Sequence, residues 1–303
     1  MKRSPYVSIG LGVYNGERFL SATLESLVSQ SFGDFELIIS DNASTDDTME
    51  ICADYAAKDN RIRYSRNLNN IGFNKNFNRA FHLSSGRYFR WSAADDLFAP
   101  TSLQECVDVL DRCPEVVLCY PRTVLIDAEG RFLRRYDDNL DLTMPSAADR
   151  FHWVLQNIGL GNVQYGLMRS DVLRHTSLFG NFAASDLVLI AELALYGQFR
   201  EIPQDLFFRR MHDAATSSLV DKPLKMAQEF WNAKATGGPD LHYWTQRYYN
   251  LVSILRSPIG AIEKLRSFSF LARYAVQSRH ILLKELHCAG GHLLKRLIPE
   301  RNQ

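Results

Sequence analysis

The feature that most constrains this chain is the regular exchange of two hydrophobic periods through its first 126 residues. Val7, Ile9, Leu11 and Val13 alternate with small residues, the period of two that marks a strand. Phe19, Leu20, Leu24, Leu27 and Val28 then recur at helical spacing. Phe35–Ile39, Arg61–Ser65, Arg87–Trp91 and Val116–Ile126 read as further strands, with Phe73–Leu83 and 101–112 as helices between them. Another helix follows Asp41–Asp46, capped by Ser44 or Thr45, with Met49, Cys52, Tyr55 and Ala56 inward. Strands alternating with helices predict an α/β fold, a mainly parallel sheet flanked by helices. Such sheets bind ligands beyond the carboxyl ends of their strands. The polar clusters fall there: Tyr14-Asn15, Asp41–Asp46 and Ala94-Asp95-Asp96.

Beyond residue 126 the alternation weakens. A hairpin-like turn at Asp127–Gly130 and a polar loop at Asp137–Pro145 precede a helix over 146–158. Val163–Arg169 reads as a strand, Asp186–Tyr196 as a helix, and Phe199–Ile202 and Leu206–Met211 as two strands. From Pro223 the pattern is helical, broken at Thr236-Gly237-Gly238-Pro239 and Ser257-Pro258.

The 303 residues carry 35 Lys+Arg and 34 Asp+Glu, a net charge of +1 that excludes a simple nucleic-acid binder. That balance is a cancellation. Residues 241–303 hold ten basic and three acidic side chains, so they carry +7 and the first 240 residues −6. No apolar run is long enough to span a bilayer, and the N-terminus enters a strand pattern without a leader-like segment. The five cysteines are odd in number and lack zinc-ligand spacing, which predicts buried, reduced thiols and a cytoplasmic protein.

Gly10-Leu11-Gly12-Val13-Tyr14-Asn15-Gly16 approaches a dinucleotide fingerprint, but Asn15 stands at the third glycine, and Gly10 and Gly12 fall inside the strand. A different resemblance is specific. Val7–Asn15, Ser26–Gln30, Phe35–Asp46, Asn69-Asn70-Ile71-Gly72, Gly86-Arg87-Tyr88 and Ala93-Ala94-Asp95-Asp96 occur in the order of the glycosyltransferase family 2 signature. The chain resembles that family over about its first 115 residues. The resemblance implies a GT-A (Rossmann-like) fold, a nucleotide-sugar donor (UDP-, GDP- or dTDP-linked) and inversion at the anomeric carbon. It divides the chain into a nucleotide-sugar-binding half (1–126), an acceptor-binding and catalytic half of the same domain (127–222) and a basic amphipathic C-terminal helical extension (223–303).

Sugar transfer needs a seat for base and ribose, neutralisation of a departing diphosphate, and a base for the acceptor hydroxyl. By the resemblance, Asp41 meets the nucleobase, and Tyr14, Asn15, Glu17, Asn42, Ser44 and Asn70 complete the donor site with Asp95 and Arg210. Read alone, Asp41–Asp46 is equally a loop of Asx-turns and a helix cap. Adjacent carboxylates repel unless a cation or proton intervenes, so Asp95-Asp96 suits a divalent ion, Mn2+ or Mg2+. The family motif expects a further Asp where Ala93 stands, which bears on the ribose contact and on metal dependence. Arg209-Arg210-Met211-His212, followed by Thr216-Ser217-Ser218, resembles a segment in which the histidine completes the metal site. Asp186, opening its helix, matches the acceptor base, with a helix cap as the plain alternative. Asn162, Gln164 and Tyr165 are candidates to face the acceptor.

The expected acceptor is a glycan or a lipid-linked hydroxyl in polysaccharide, glycolipid or cell-envelope glycan assembly. Basic and aromatic segments in 241–303 suit an anionic membrane at the inner face, helices packed with a solvated basic face, or a nucleic-acid patch. Two other functions remain open at this point. One is a catalytically degenerate carbohydrate-binding protein, admitted by Ala93. The other is a sugar nucleotidyltransferase, for which Tyr14–Arg18 is a poor phosphate loop.

Overall fold

A computed structural model describes residues 4–213 and 241–297, with side chains to residue 289. The first half follows the expected order: β1 (Val7–Val13), α1 (Glu17–Val28), β2 (Phe35–Asp41), α2 (Thr48–Lys58), β3 (Ile62–Arg66), α3 (Phe73–His82) and β4 (Tyr88–Ser92). Next come β5 (Leu97–Phe98), α4 (Ser102–Arg112), β6 (Val116–Ile126), β7 (Phe132–Tyr136) and α5 (Ala147–Asn157). A 3-10 turn at Asn162–Tyr165 leads to β8 (Leu167–Arg169), α6 (Ser170–Leu173), α7 (Ser185–Tyr196) and β9 (Gln198–Arg210). Three helices close the described chain: α8 (His242–Arg256), α9 (Ala261–Gln277) and α10 (Arg279–Leu297).

One sheet runs in the order β3-β2-β1-β4-β8-β6-β9-β5, with β7 added to β6. The long ladders β1–β2, β1–β4, β2–β3 and β6–β9 are parallel, while β8 runs antiparallel between β4 and β6. The sheet is therefore mixed and continuous across residue 126, where β6 turns into β7. β1 and β2 are buried at every position, as expected of strands covered on both faces. Gly10 and Gly12 belong to that packing. A Cβ on Gly10 would lie 2.5 Å from the Phe89 ring, and one on Gly12 2.5 Å from Phe77. They admit neighbouring aromatics rather than a pyrophosphate.

Several expectations are corrected. Val163–Arg169 is a tight turn and a three-residue strand, and the two strands expected over 199–211 are one, β9, whose register against β6 shifts near Pro121–Thr123. α2 begins at Thr48 with Asp47 at its N-cap, and neither Ser44 nor Thr45 caps it, because Ser44 Oγ accepts the Asn15 N–H instead. Met49 is exposed, whereas Cys52 packs in the core. Cys52, Cys106 and Cys119 are buried free thiols, but Cys113 is half-buried and Cys288 exposed. The break at 236–239, the helical onset at Pro223 and the boundary at 222 lie outside the described residues.

The C-terminal helices pack on α5 and α7. Glu263 accepts bonds from the Ser146 hydroxyl (2.9 Å) and the Ala148 N–H (2.8 Å) at the head of α5. Arg256 lies 3.7 Å from Glu192, a fully buried carboxylate on α7. Arg247 stacks on Tyr274 at 4.1 Å. Among the described residues no helix is long and apolar enough to cross a membrane.

Asp138, behind β6, accepts the Thr123 hydroxyl at 2.7 Å, and burial pushes its carboxyl up to about 6. A raised carboxyl contributes stability that is complete below its ordinary value near 4 and lost as pH rises through about 6. Asp138→Asn should therefore match the parent near pH 4 and exceed it by up to about 3 kcal/mol at about pH 8. Urea unfolding at the two pH values measures the difference.

Candidate functional site

The turns beyond β1, β2 and β4 meet the end of β9 around a cavity of about 830 Å3. On its first wall, Asn15 has a φ of +50°, a left-handed conformation that asparagine tolerates. The N–H groups of Asn15, Gly16 and Glu17 donate to Ser44 Oγ (3.0 Å), Thr48 Oγ1 (2.9 Å) and Asp46 Oδ2 (3.1 Å). In return Thr45 and Asp47 donate backbone N–H groups to Asn15 and Glu17 side chains, at 2.8 and 3.0 Å. The two turns are thus stitched together by side chains. These three amides are consumed, so the turn is no cradle for phosphate and the nucleotidyltransferase reading loses its loop. Tyr14, 48% exposed, faces the cavity.

Asp41 lies beneath this wall rather than in it. It is fully buried, with Oδ1 accepting the Ser44 N–H and hydroxyl (2.9 and 2.6 Å) and Oδ2 the Tyr64 hydroxyl (2.7 Å). The Arg66 guanidinium stands 3.7 Å away. Burial and that carboxylate push the Tyr64 phenol well up. The next residue, Asn42, reaches the cavity. Its Oδ1 accepts from Asn67 (3.0 Å) and the Ile71 N–H (2.9 Å), and its Nδ2 donates to Asn70 at 2.8 Å. Asn76, bonded to Ser40 and Asn67, completes a row of amides along that end.

At the other end, Asp95 Oδ2 and His212 Nε2 are 2.9 Å apart. Nδ1 of His212 is buried and has no hydrogen-bond partner among the described residues. Asp96, 3% exposed, points inward and accepts the Arg210 N–H at 2.8 Å. Burial first, then the charge of Asp95, pushes its carboxyl up to about 8. Arg210 donates Nε to the Asp95 carbonyl (2.9 Å) and Nη1 to the carbonyls of Asp127 (3.2 Å) and Ala128 (2.8 Å). The Phe19 ring backs both Arg210 (4.8 Å) and His212 (4.7 Å).

Ten of the residues singled out in the sequence line this one cavity: Tyr14, Asn15, Glu17, Asn42, Asn70, Asp95, Asp96, Tyr165, Arg210 and His212. Five do not. Asp41 and Ser44 lie behind the wall, and Asn162 and Gln164 are buried behind Tyr165. Asp186 stands in the first turn of α7, its Oδ2 3.4 Å from where a Cβ on Gly161 would fall. Burial raises its carboxyl above the ordinary range, opposed by the N–H groups at the head of α7 and by Arg209. The N-cap position itself is Ala184, and the Asp186 carboxylate sits against the first N–H groups of α7. Thr216-Ser217-Ser218 lies outside the described residues.

The cavity also takes in Arg18, Asp46, Asn76 and Arg209, which sequence reasoning missed as site residues. Arg209 donates to the Leu160 carbonyl (2.9 Å) and to Asn162 Oδ1. Strand alternation puts Arg209 and Arg210 on opposite faces of β9 and was the available signal that the two differ in role.

With this geometry in hand, the comparisons give the class. Residues 8–176 match the model of Glycosyl transferase family 2. The chain belongs to that family. An uncharacterized glycosyltransferase of Haemophilus influenzae is 24% identical over 297 residues, covering 94% of this chain and 85% of that one. The EpsE protein of Bacillus subtilis is 37% identical over 113 residues, 37% of this chain, so the chain spans only 41% of that relative. In fold it is similar to S. aureus TarS 1–349 in complex with UDP-GlcNAc, at a TM-score of 0.65 and 18% identity, covering 90% and 74% of the chains. The mannosyltransferase PcManGT from Pyrobaculum calidifontis, in complex with GDP-Man and Mn2+, gives 0.51 and 13%, covering 99% and 89%.

Asp41→Asn should cost roughly 1–3 kcal/mol of stability, since a buried acceptor set loses its charge and one oxygen. The denaturant midpoint measures this. A variant as stable as the parent would mean that Asp41 does not hold the loop.

Proposed function

We propose that this chain moves a sugar, with inversion, from a nucleoside-diphosphate donor to a hydroxyl acceptor during polysaccharide, glycolipid or cell-envelope glycan assembly. The carrying observation is the convergence of three strand-end turns and the end of β9 on one cavity with two chemically different ends. The row of Asn42, Asn70 and Asn76, beside the Tyr14 ring, suits a base and ribose. The opposite end, with Asp95, His212 and Arg209, suits a diphosphate.

Asp95 and His212 fit a divalent ion. They offer one carboxylate and one imidazole side by side, and no group of three His, Cys, Asp or Glu suited to a metal occurs among the described residues. Such a half-site matches an ion that keeps water and phosphate oxygens for its remaining positions. Asp96 is turned to the Arg210 amide, so Asp95 and His212 rather than the paired carboxylates would hold it. When bound, Mn2+ or Mg2+ supplies positive charge to the departing diphosphate. Ala93, at the cavity wall, adds no carboxylate to this set.

The chain's own residues do the rest. Arg210 holds Asp95 in place through that residue's carbonyl. Asp186 is the acceptor base: a half-buried carboxyl raised above its ordinary value accepts a proton near neutral pH more readily than a fully solvated one. It stands in the first turn of α7 beside Gly161, which opens the turn that carries Tyr165 to the cavity. Asp186→Asn should lower turnover by at least about 100-fold while donor binding is retained. The measurement is nucleotide release from UDP-, GDP- and dTDP-sugars with Mn2+. Full activity in the variant assigns the base elsewhere, and absence of binding or hydrolysis with every donor overturns the transfer reading.

A membrane contact belongs to the same reading. Three of the tail's ten basic side chains, Arg247, Arg256 and Arg266, are engaged with Tyr274, Glu192 and Asp149. Exposed beside basic residues such as Arg273 and Arg279 are apolar side chains, Tyr248, Leu251 and Leu255 on α8 with Ile262 and Leu265 on α9. This surface is the part of 241–303 suited to a lipid surface. Leu255→Glu with Ile262→Glu should abolish flotation with anionic vesicles and leave the fold intact. If the parent chain does not float, this surface has no lipid role.

A further inference from the structure

A second cleft, of about 970 Å3, opens between α4, the segment following β7, α5 and the first half of β9. It shares no residue with the donor cavity. Its apolar part is Trp153 with Leu142, Met144 and Ile202. Trp153 is 40% exposed, yet its ring is not free to swing, because the indole N–H donates to the Asn139 carbonyl at 2.8 Å. A large aromatic surface is thus held open in a fixed orientation.

The polar part is mostly acceptors. Glu105, Asp137, Asp141 and Glu201 line the cleft with the guanidinium of Arg200, and Arg122 stands 3.6 Å from Glu201, so carboxylates still outnumber guanidiniums. Arg200 is itself engaged with Asp141 at 3.6 Å, and the Glu201 N–H donates to Asp141 at 3.1 Å. An anionic ligand would meet net repulsion here. A hydrocarbon ligand would strip water from carboxylates without returning hydrogen bonds. A sugar ring satisfies both parts: its C–H face packs on the indole while its hydroxyls donate to the carboxylates.

The place of the cleft gives it a reach. Arg200–Gln204 precede Arg210 by six to ten residues of β9, roughly 20–33 Å of strand at about 3.3 Å per residue. At that separation one monosaccharide cannot touch both cavities.

We propose that this cleft binds an uncharged or amine-bearing oligosaccharide, as a site separate from the donor cavity. The assignment goes beyond the transfer mechanism and stands on the cleft's own residues. Saturation-transfer NMR on the full chain, with a panel of neutral and amino oligosaccharides, tests it. A sulfated oligosaccharide and an oligolysine are the contrasting ligands. At least one neutral or amino oligosaccharide should bind. Trp153→Ala should weaken that binding at least about tenfold, and Trp153→Phe should restore most of it. UDP binding, measured separately on each variant, should stay at the parent's value, and circular dichroism should show an unchanged fold. Because UDP reports on the donor cavity alone, its failure is distinguishable from failure of the cleft. The proposal is overturned if no oligosaccharide binds, if Trp153→Ala binds like the parent, or if the sulfated glycan or oligolysine binds more tightly than every neutral or amino sugar.

Discussion

The cavity depends on one side chain that ties three segments distant in sequence. Arg210, at the end of β9, gives its backbone N–H to Asp96 and its guanidinium to the carbonyls of Asp95, Asp127 and Ala128. Those groups belong to the turn after β4 and to the hairpin between β6 and β7. Left unpaired in a buried place, each carbonyl would cost on the order of 1–3 kcal/mol. Because all are satisfied by one planar fork, the end of β9 cannot move without releasing both turns. The position of Asp95 beside His212 follows from that tie, since His212 lies two residues further along the same chain.

A second constraint acts on the nucleotide end, and it works by exhausting hydrogen-bonding groups. The turn after β1 spends its amides on Ser44, Thr48 and Asp46, and Asp41 spends both oxygens on Ser44 and Tyr64. What faces the cavity is the Tyr14 ring and the amide row of Asn42, Asn70 and Asn76, whose bonds to one another and to the backbone fix their orientation. Motif residues are thus of two kinds, those that build the wall and those that look out from it.

That division explains what was legible in the sequence. Strands β1 to β4 and their helices were readable because both hydrophobic periods are clean and each strand is long enough to show one. Two-residue β5 and three-residue β8 are too short to carry a period, and exposed β7 has no buried face to reveal it. The polar clusters at strand ends located the cavity correctly. They could not say what each member of a neighbouring pair would bond to, because beyond the strand ends the direction of each side chain is set by hydrogen bonds to residues distant in sequence. So Asp41 turns into the wall while Asn42 faces the cavity, and Asp96 turns to the Arg210 amide while Asp95 meets His212. The tail showed the opposite failure: its charge was plain in the sequence, but its partners Tyr274, Glu192 and Asp149 are known only from packing.

The packing of α7 gives the C-terminal helices a mechanical role. This helix is buried along most of its length, carries Asp186 in its first turn, and reaches Arg256 of α8 through Glu192. At 1.5 Å per residue its twelve residues form a rod of about 18 Å. Without Arg256 the fully buried Glu192 carboxylate on this rod would keep the Ser177 N–H but lose its cationic partner, so the C-terminal helices help to hold the element that carries Asp186.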